Sequence, residues 1–180
     1  MDVKSVSKDR EYVAAQKNNS MMGAKHTSDP TTFMRLALYQ PDMPPNTGTM
    51  MRLCACLGVG MDIIEPCGFP MDDARMRRAA MDYIDHLDLA RHRSWEDFCA
   101  KIGTRRLILL TTKGAVPYAD FSYRTDDILM VGRESAGVPE DVHTRADARI
   151  VIPIKPPLRS LNVAISAAIA LSEALRQIAK

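Results

Sequence analysis

Ile128-Leu129-Met130-Val131-Gly132-Arg133-Glu134-Ser135-Ala136-Gly137-Val138-Pro139 is a short apolar run that ends in a glycine-bounded polar loop. A second stretch repeats the design: Ile150-Val151-Ile152-Pro153-Ile154, then Lys155-Pro156-Pro157-Leu158-Arg159-Ser160-Leu161-Asn162, then a helix of small apolar residues. Strand, loop, helix is how α/β proteins build ligand sites at the carboxyl ends of strands. These two loops carry a carboxylate, hydroxyls, an amide and two guanidinium groups, more placed polarity than a connection needs.

Working outward, the same grammar recurs. Leu36-Ala37-Leu38-Tyr39 has the pattern of a buried strand stopped by Pro41, Pro44 and Pro45. In the helix that follows, Met50, Leu53, Cys54 and Leu57 fall at i, i+3, i+4 and i+7 and define one apolar face. Gly58 stands where a left-handed C-terminal residue belongs. Arg52 lies off that face. The sequence predicts a strand over 59–64, a helix over 72–81 bearing Arg75, Arg77 and Arg78, and a helix opened by Ser94-Trp95-Glu96-Asp97 and ended by Gly103. It predicts strands over 107–112 and up to Val131 and Ile154, and a final helix over 161–178. Strands alternating with helices, each strand a continuous apolar run, imply an α/β fold with a mainly parallel sheet buried on both faces.

Composition bounds the function. The chain has 180 residues, 46% of them hydrophobic, enough for one substantial core. Its 24 Lys and Arg against 22 Asp and Glu give a net charge of +2, which excludes a globally basic coat but not a local basic face. Cys54, Cys56, Cys67 and Cys99 form no C-x-x-C pair and read as buried reduced thiols of a cytoplasmic protein. His26, His86, His92 and His143 have no ligand spacing, so no metal is expected. No apolar run is long enough to span a membrane. Residues 1–33 are polar with scattered hydrophobes and read as a flexible tail, with acidic Asp2, Asp9 and Glu11 arguing against a transit peptide; the domain occupies 34–180.

The loops are ambiguous taken singly. Gly132 and Gly137 suit either positive φ or close backbone approach to a ligand. Their spacing is not a Walker loop, because no Lys-Ser/Thr follows, and no G-x-G-x-x-G follows any strand. Ser160 suits an ordinary N-cap of the last helix, and Asn46 a cap of the helix carrying Arg52. Asn162 in a first helical turn favours a ligand contact over helix propensity. The arginine clusters at 75–78, 91–93 and 105–106 suit solvated faces or a phosphate-binding surface. Trp95, Phe98 and Ile102 are spaced as core, and Ala164, Ala167, Ala168 and Ala170 mark a closely packed final helix.

Together the segments resemble a known family. Pro44-Pro45-Asn46-Thr47-Gly48-Thr49-Met50-Met51-Arg52-Leu53-Cys54-Ala55, then 131–139, then Ile152-Pro153 through Arg159-Ser160-Leu161-Asn162-Val163-Ala164 are similar to the three ordered motifs of the SPOUT ribose methyltransferases. Ile63-Ile64-Glu65-Pro66-Cys67-Gly68-Phe69 and Leu110-Thr111-Thr112-Lys113-Gly114 narrow the resemblance to the small single-domain members that methylate the wobble ribose of tRNA. Arg133 and Ser135-Ala136 depart from it, standing where those members often carry Pro and Thr-Arg.

The resemblance implies an α/β fold with a deep C-terminal trefoil knot and S-adenosyl-L-methionine as methyl donor. It further implies a homodimer sharing its sites, and the anticodon stem-loop of tRNA, with a wobble cytidine or modified uridine, as substrate. Carried over by position, Leu110, Thr111, Gly132, Glu134, Gly137, Ile152 and Ser160 hold the cofactor. Asn46, Arg52, Glu134, Ser160 and Asn162 form the catalytic neighbourhood. A guanidinium, with an intrinsic pKa above about 12, is a poor base at neutral pH; Arg52 is better suited to clamping the neighbouring RNA phosphate with its planar fork. The alternatives are ribose methylation at another tRNA or rRNA site, and a non-catalytic RNA-binding factor of the same fold.

Overall fold

The computed structural model describes residues 33–72, 74–114 and 116–179. The expectation of a flexible tail falls on residues outside these, apart from Phe33.

A parallel sheet of seven strands organises the chain. The strands are β1 (Arg35–Tyr39), β2 (Gly60–Ile64), β3 (Leu89–His92), β4 (Leu107–Leu110), β5 (Val116–Pro117), β6 (Ile128–Val131) and β7 (Ala148–Val151). Their spatial order is β3-β2-β1-β6-β4-β7-β5. The helices are α1 (Pro44–Leu57), α2 (Ala74–Ala80), α3 (Trp95–Ile102), α4 (Glu140–Arg145) and α5 (Val163–Ile178), with a 3₁₀ turn over Met81–His86.

Each face of the sheet has its own core, which is why the central strands are apolar throughout. On one face Leu36, Leu38, Met61, Ile108 and Leu129 pack with Met50, Met51 and Cys54 of α1 and with Ala167, Ala170, Leu171 and Ala174 of α5. On the other, Ala37, Tyr39, Leu107, Leu109 and Met130 pack with Phe98 and Ile102 of α3 and Val142 of α4. Phe98 is fully buried, stacked on Trp95 at 5.6 Å and edge-on to His92 at 5.1 Å. Buried charge beneath the sheet edge is paired. Asp62 receives Arg35 Nε at 2.7 Å on one oxygen and meets His92 Nε2 at 2.8 Å on the other, while Arg35 also pairs with Asp88.

The topology places the site. From β1 the chain steps outward through β2 and β3, whereas β6 adjoins β1 on the opposite side. Ligands of open α/β sheets bind at the carboxyl ends of strands where the order reverses in this way. Register brings four such ends level, with Val131 beside both Leu38 and Leu110, and Leu110 beside Ile150.

Several boundaries differ from expectation. The strand over 59–64 begins at Gly60, and that over 107–112 stops at Leu110. The helix over 72–81 is a shorter α2, because Met81 takes φ 55 and the chain continues as a 3₁₀ turn. On α1, Met51 is buried and Leu57 is 41% exposed, so the core-facing stripe is shifted from the one the spacing suggested. Gly58 takes φ 65, and Ser94 Oγ accepts the Asp97 N–H at 3.2 Å. The short β3, β5 and α4 carry too little periodicity to announce themselves. All four cysteines are free; Cys54 is buried as expected, whereas Cys56 is exposed. No described helix is long and apolar enough to cross a membrane.

Candidate functional site

A cavity of about 760 Å³ opens at the carboxyl ends of β1, β4, β6 and β7. Its walls are built first from backbone. Beyond β6 the 132–137 loop folds onto itself through Arg133 N–H to Gly137 O at 3.0 Å and Gly137 N–H to Arg133 O at 2.9 Å. A Cβ on Gly132 would sit 2.6 Å from the Gly137 carbonyl carbon, so residue 132 must be glycine for the loop to close. Gly137 has open space but φ 66, so it supplies the positive φ and Gly132 the close approach. Beyond β4 a Cβ on Gly114 would lie 2.5 Å from the Ile150 carbonyl. Thr111 N–H donates to Ile150 O at 2.9 Å, fixing the β4 exit against β7.

A polar chain crosses this cavity between three loops. Asp42, after β1, accepts the Glu134 N–H at 3.2 Å and hydrogen-bonds the Ser135 hydroxyl. Glu134 returns the contact, its Oε2 accepting the Asp42 N–H at 3.4 Å. Glu134 Oε1 accepts from Asn46 Nδ2 at 3.1 Å. Asn46 Oδ1 accepts from Asn162 Nδ2 at 3.0 Å. Asn162 Oδ1 then accepts the Ala164 and Ile165 N–H groups at 2.9 and 3.2 Å, capping α5. A backbone N–H can only donate, so the helix end orients Asn162, which orients Asn46, which points its donor at Glu134.

Electrostatics divides the two carboxyl groups. Burial, and then the neighbouring Asp42, push the Glu134 carboxyl above the usual range. The hydrogen bond with Glu134, and then that with Ser135, hold Asp42 below it. The environment therefore pushes the two carboxyl groups in opposite directions, Glu134 up and Asp42 down.

The structure brings Asn46, Leu110, Thr111, Gly132, Glu134, Gly137, Ile152, Ser160 and Asn162 to this one cavity. Two capping alternatives are corrected. Asn162, not Ser160, caps α5, which starts at Val163. Asn46 lies inside α1, whose N-cap is Met43. Arg52 is not in the cavity. It follows Asn46 by six residues, about 240° of helical rotation at about 100° per residue. Its Nη1 lies 3.3 Å from Met81 Sδ, and its guanidinium carbon lies 5.1 Å from the Tyr83 ring centroid. Asp42 is the site residue the sequence reading missed. Its signal was an acid three positions past a strand end, just before the Pro44-Pro45 that opens α1. The arginine clusters divide. Arg91 pairs with Glu65, Arg106 with the buried Asp127, and Arg105 with the Asp126 carbonyl, whereas Arg77, Arg78 and Arg93 are exposed.

Comparison with known proteins agrees with this architecture. Residues 34–172 match the SpoU rRNA methylase family. A tRNA (cytidine(34)-2'-O)-methyltransferase of Beijerinckia indica is 64% identical over 145 residues, covering 79% of this chain and 91% of that protein. A solved structure concerned with the 2-OH methylation of C/U34 on tRNA superposes with a TM-score of 0.78 at 35% identity, over 83% of this chain and 97% of that one. An AdoMet-bound rRNA methyltransferase from Sinorhizobium meliloti superposes with a TM-score of 0.73 at 29% identity, over 80% of this chain and 56% of that one. With the family match spanning nearly all the described residues, the chain belongs to the SpoU rRNA methylase family.

Proposed function

We propose that the protein is a cytoplasmic enzyme that methylates the ribose 2′-hydroxyl of nucleotide 34 of tRNA, a cytidine or modified uridine, with S-adenosyl-L-methionine as donor. Family membership supports ribose methylation, and the names of its relatives support position 34. The observation in this chain that carries the reading is the Asn162–Asn46–Glu134 chain of hydrogen bonds spanning a cavity of about 760 Å³ at the strand-order reversal.

The residues present suit the donor. The wall at Gly132 is closed so tightly that a Cβ would clash, leaving backbone to face a flat, polar-edged base. Leu110, Ile152 and Val138 add apolar surface, and Glu134 with Asp42 supplies carboxyl groups suited to a cationic centre. When bound, the donor supplies an electrophilic methyl group on a sulfonium. Leu110, Thr111, Gly132, Gly137 and Ile152 would hold its nucleoside. The segment from Ile152 to Asn162 would be threaded as the trefoil knot of this family.

The chain's own side chains do the rest. Asn162 and Ser160 orient the attacking hydroxyl, with the first turn of α5 holding Asn162 in place and Asn162 in turn setting Asn46 and Glu134, a positioning role suited to in-line displacement. Arg52 faces away from its own cavity, so it would serve the cavity of a second copy in a homodimer. There it clamps the phosphate next to the ribose and polarises the hydroxyl, phosphate or water taking the proton.

The test is nucleoside mass spectrometry after incubating the pure protein with S-adenosylmethionine and tRNA from cells lacking the gene. A 2′-O-methyl nucleoside mapped to position 34 is expected. Methylation at another position, or none with donor binding intact, would overturn the assignment.

A further inference from the structure

We infer that Tyr83 and Met81 form a platform that holds the Arg52 guanidinium in place, making both of them positioning residues for the reaction. The inference rests on the reading above that Arg52 clamps an RNA phosphate.

Arg52 is exposed on α1, yet it is not loose. Its guanidinium lies over the Tyr83 ring, 5.1 Å from carbon to centroid, and Nη1 lies 3.3 Å from Met81 Sδ. Arg35, Arg91, Arg106 and Arg176 each pair with a carboxylate, whereas among the described residues Arg52 pairs with none. A carboxylate would take up the planar fork and cancel the charge. An aromatic face and a thioether restrain the group while leaving its remaining N–H donors and its charge available to a phosphate.

The backbone is bent to make this contact. Met81 takes φ 55, a left-handed conformation that disfavours any residue with a Cβ, and its side chain is 51% exposed. Neither strain nor exposure is repaid by burial in the core. Strain of this kind at a non-glycine points to a use for the side chain. The break ends α2 at Ala80 and turns the 3₁₀ segment toward α1. Gly48 permits the approach, since a Cβ there would lie 2.3 Å from the Met76 carbonyl oxygen and 2.7 Å from Ala79 Cβ. Close packing of α1 on α2 thus sets the distance from Arg52 to Tyr83.

The experiment is a double-mutant cycle in the full chain, with Tyr83→Phe, Tyr83→Leu, Arg52→Ala and Arg52→Ala/Tyr83→Leu. It reads single-turnover methylation of an anticodon stem-loop RNA at saturating S-adenosylmethionine, RNA affinity, and donor affinity. Tyr83→Leu is expected to slow methylation by about three- to thirtyfold, with donor affinity unchanged. Tyr83→Phe, which keeps the ring, stays within about twofold. In the Arg52→Ala background Tyr83→Leu has no further effect. An equal loss in both backgrounds, or a Phe variant as slow as the Leu variant, would overturn the platform. If the unsubstituted protein binds RNA without methylating it, the enzymatic reading fails. The same cycle read in RNA affinity then decides the platform, which stands if the Tyr83 effect needs Arg52 and falls if it does not.

Discussion

Asp42 and Glu134 hold each other by reciprocal hydrogen bonds, the backbone N–H of each donating to the side-chain carboxyl of the other at 3.4 and 3.2 Å. They are 92 residues apart in sequence, so this exchange ties the loop after β1 to the loop after β6 across the strand-order reversal. It also makes the cavity's electrostatics sensitive to pH.

Burial and Asp42 raise Glu134, so on folding it takes up a proton between the ordinary carboxyl value of about 4.3 and its raised folded value. Stability falls as pH rises through that window. Glu134→Gln removes this loss, so its Tm relative to the unsubstituted protein should climb between pH 4 and pH 7 in calorimetric scans. Asp42 runs the opposite way. Held down by Glu134 and Ser135, it contributes stability that is present above about 3.9 and lost as pH falls through its lower folded value. Asp42→Asn should therefore cost more at pH 7 than at pH 3.

Asn162 has two separable jobs. Its Oδ1 caps α5 and its Nδ2 orients Asn46. Asn162→Asp keeps the capping oxygen and loses the donor; Asn162→Ala loses both. Thermal denaturation should show the Asp variant near the unsubstituted protein and the Ala variant lower by about 1 kcal/mol. Both should lose tenfold or more in single-turnover methylation, on the order expected for misplaced reacting groups.

The two loop glycines should fail differently. Gly132→Ala places a methyl 2.6 Å from the Gly137 carbonyl carbon and forces the loop apart, so titration calorimetry should show donor binding lost. Gly137→Ala meets no atom and bears only the cost of positive φ, about 1 kcal/mol. Gly137→Asn, which tolerates that conformation, should bind the donor nearly normally.

Far from the cavity, Asp62 neutralises buried Arg35 and meets His92. Asp62→Ala leaves these groups short of a partner in the core. It should destabilise by about 3 kcal/mol or more, a fall of about 6 °C or more in Tm. Donor affinity of the folded fraction should be unchanged, which separates this core network from the site.

The central strands were legible because they are buried on both faces, so β1, β4 and β6 read as continuous apolar runs. The cavity residues were legible because three ordered motifs cluster at strand ends. Strands such as Val116–Pro117, only two residues long, are defined by their neighbours and not by their own pattern. The break at Met81 was hidden because nothing local marks it; no glycine or proline announces a positive φ there. Asp42 was passed over because its role depends on a loop 92 residues away. The position of Arg52 was legible only as a motif, since its separation from the cavity is a matter of helical phase seen against the folded α2.

The most direct measurement is methyl transfer to an anticodon stem-loop RNA carrying a single 2′-deoxyribose, placed either at nucleotide 34 or at a neighbouring loop position. Loss of transfer only for the substitution at 34, with RNA affinity kept, is the expected result. Undiminished transfer to the RNA lacking the 2′-hydroxyl at 34 would contradict wobble-ribose methylation outright.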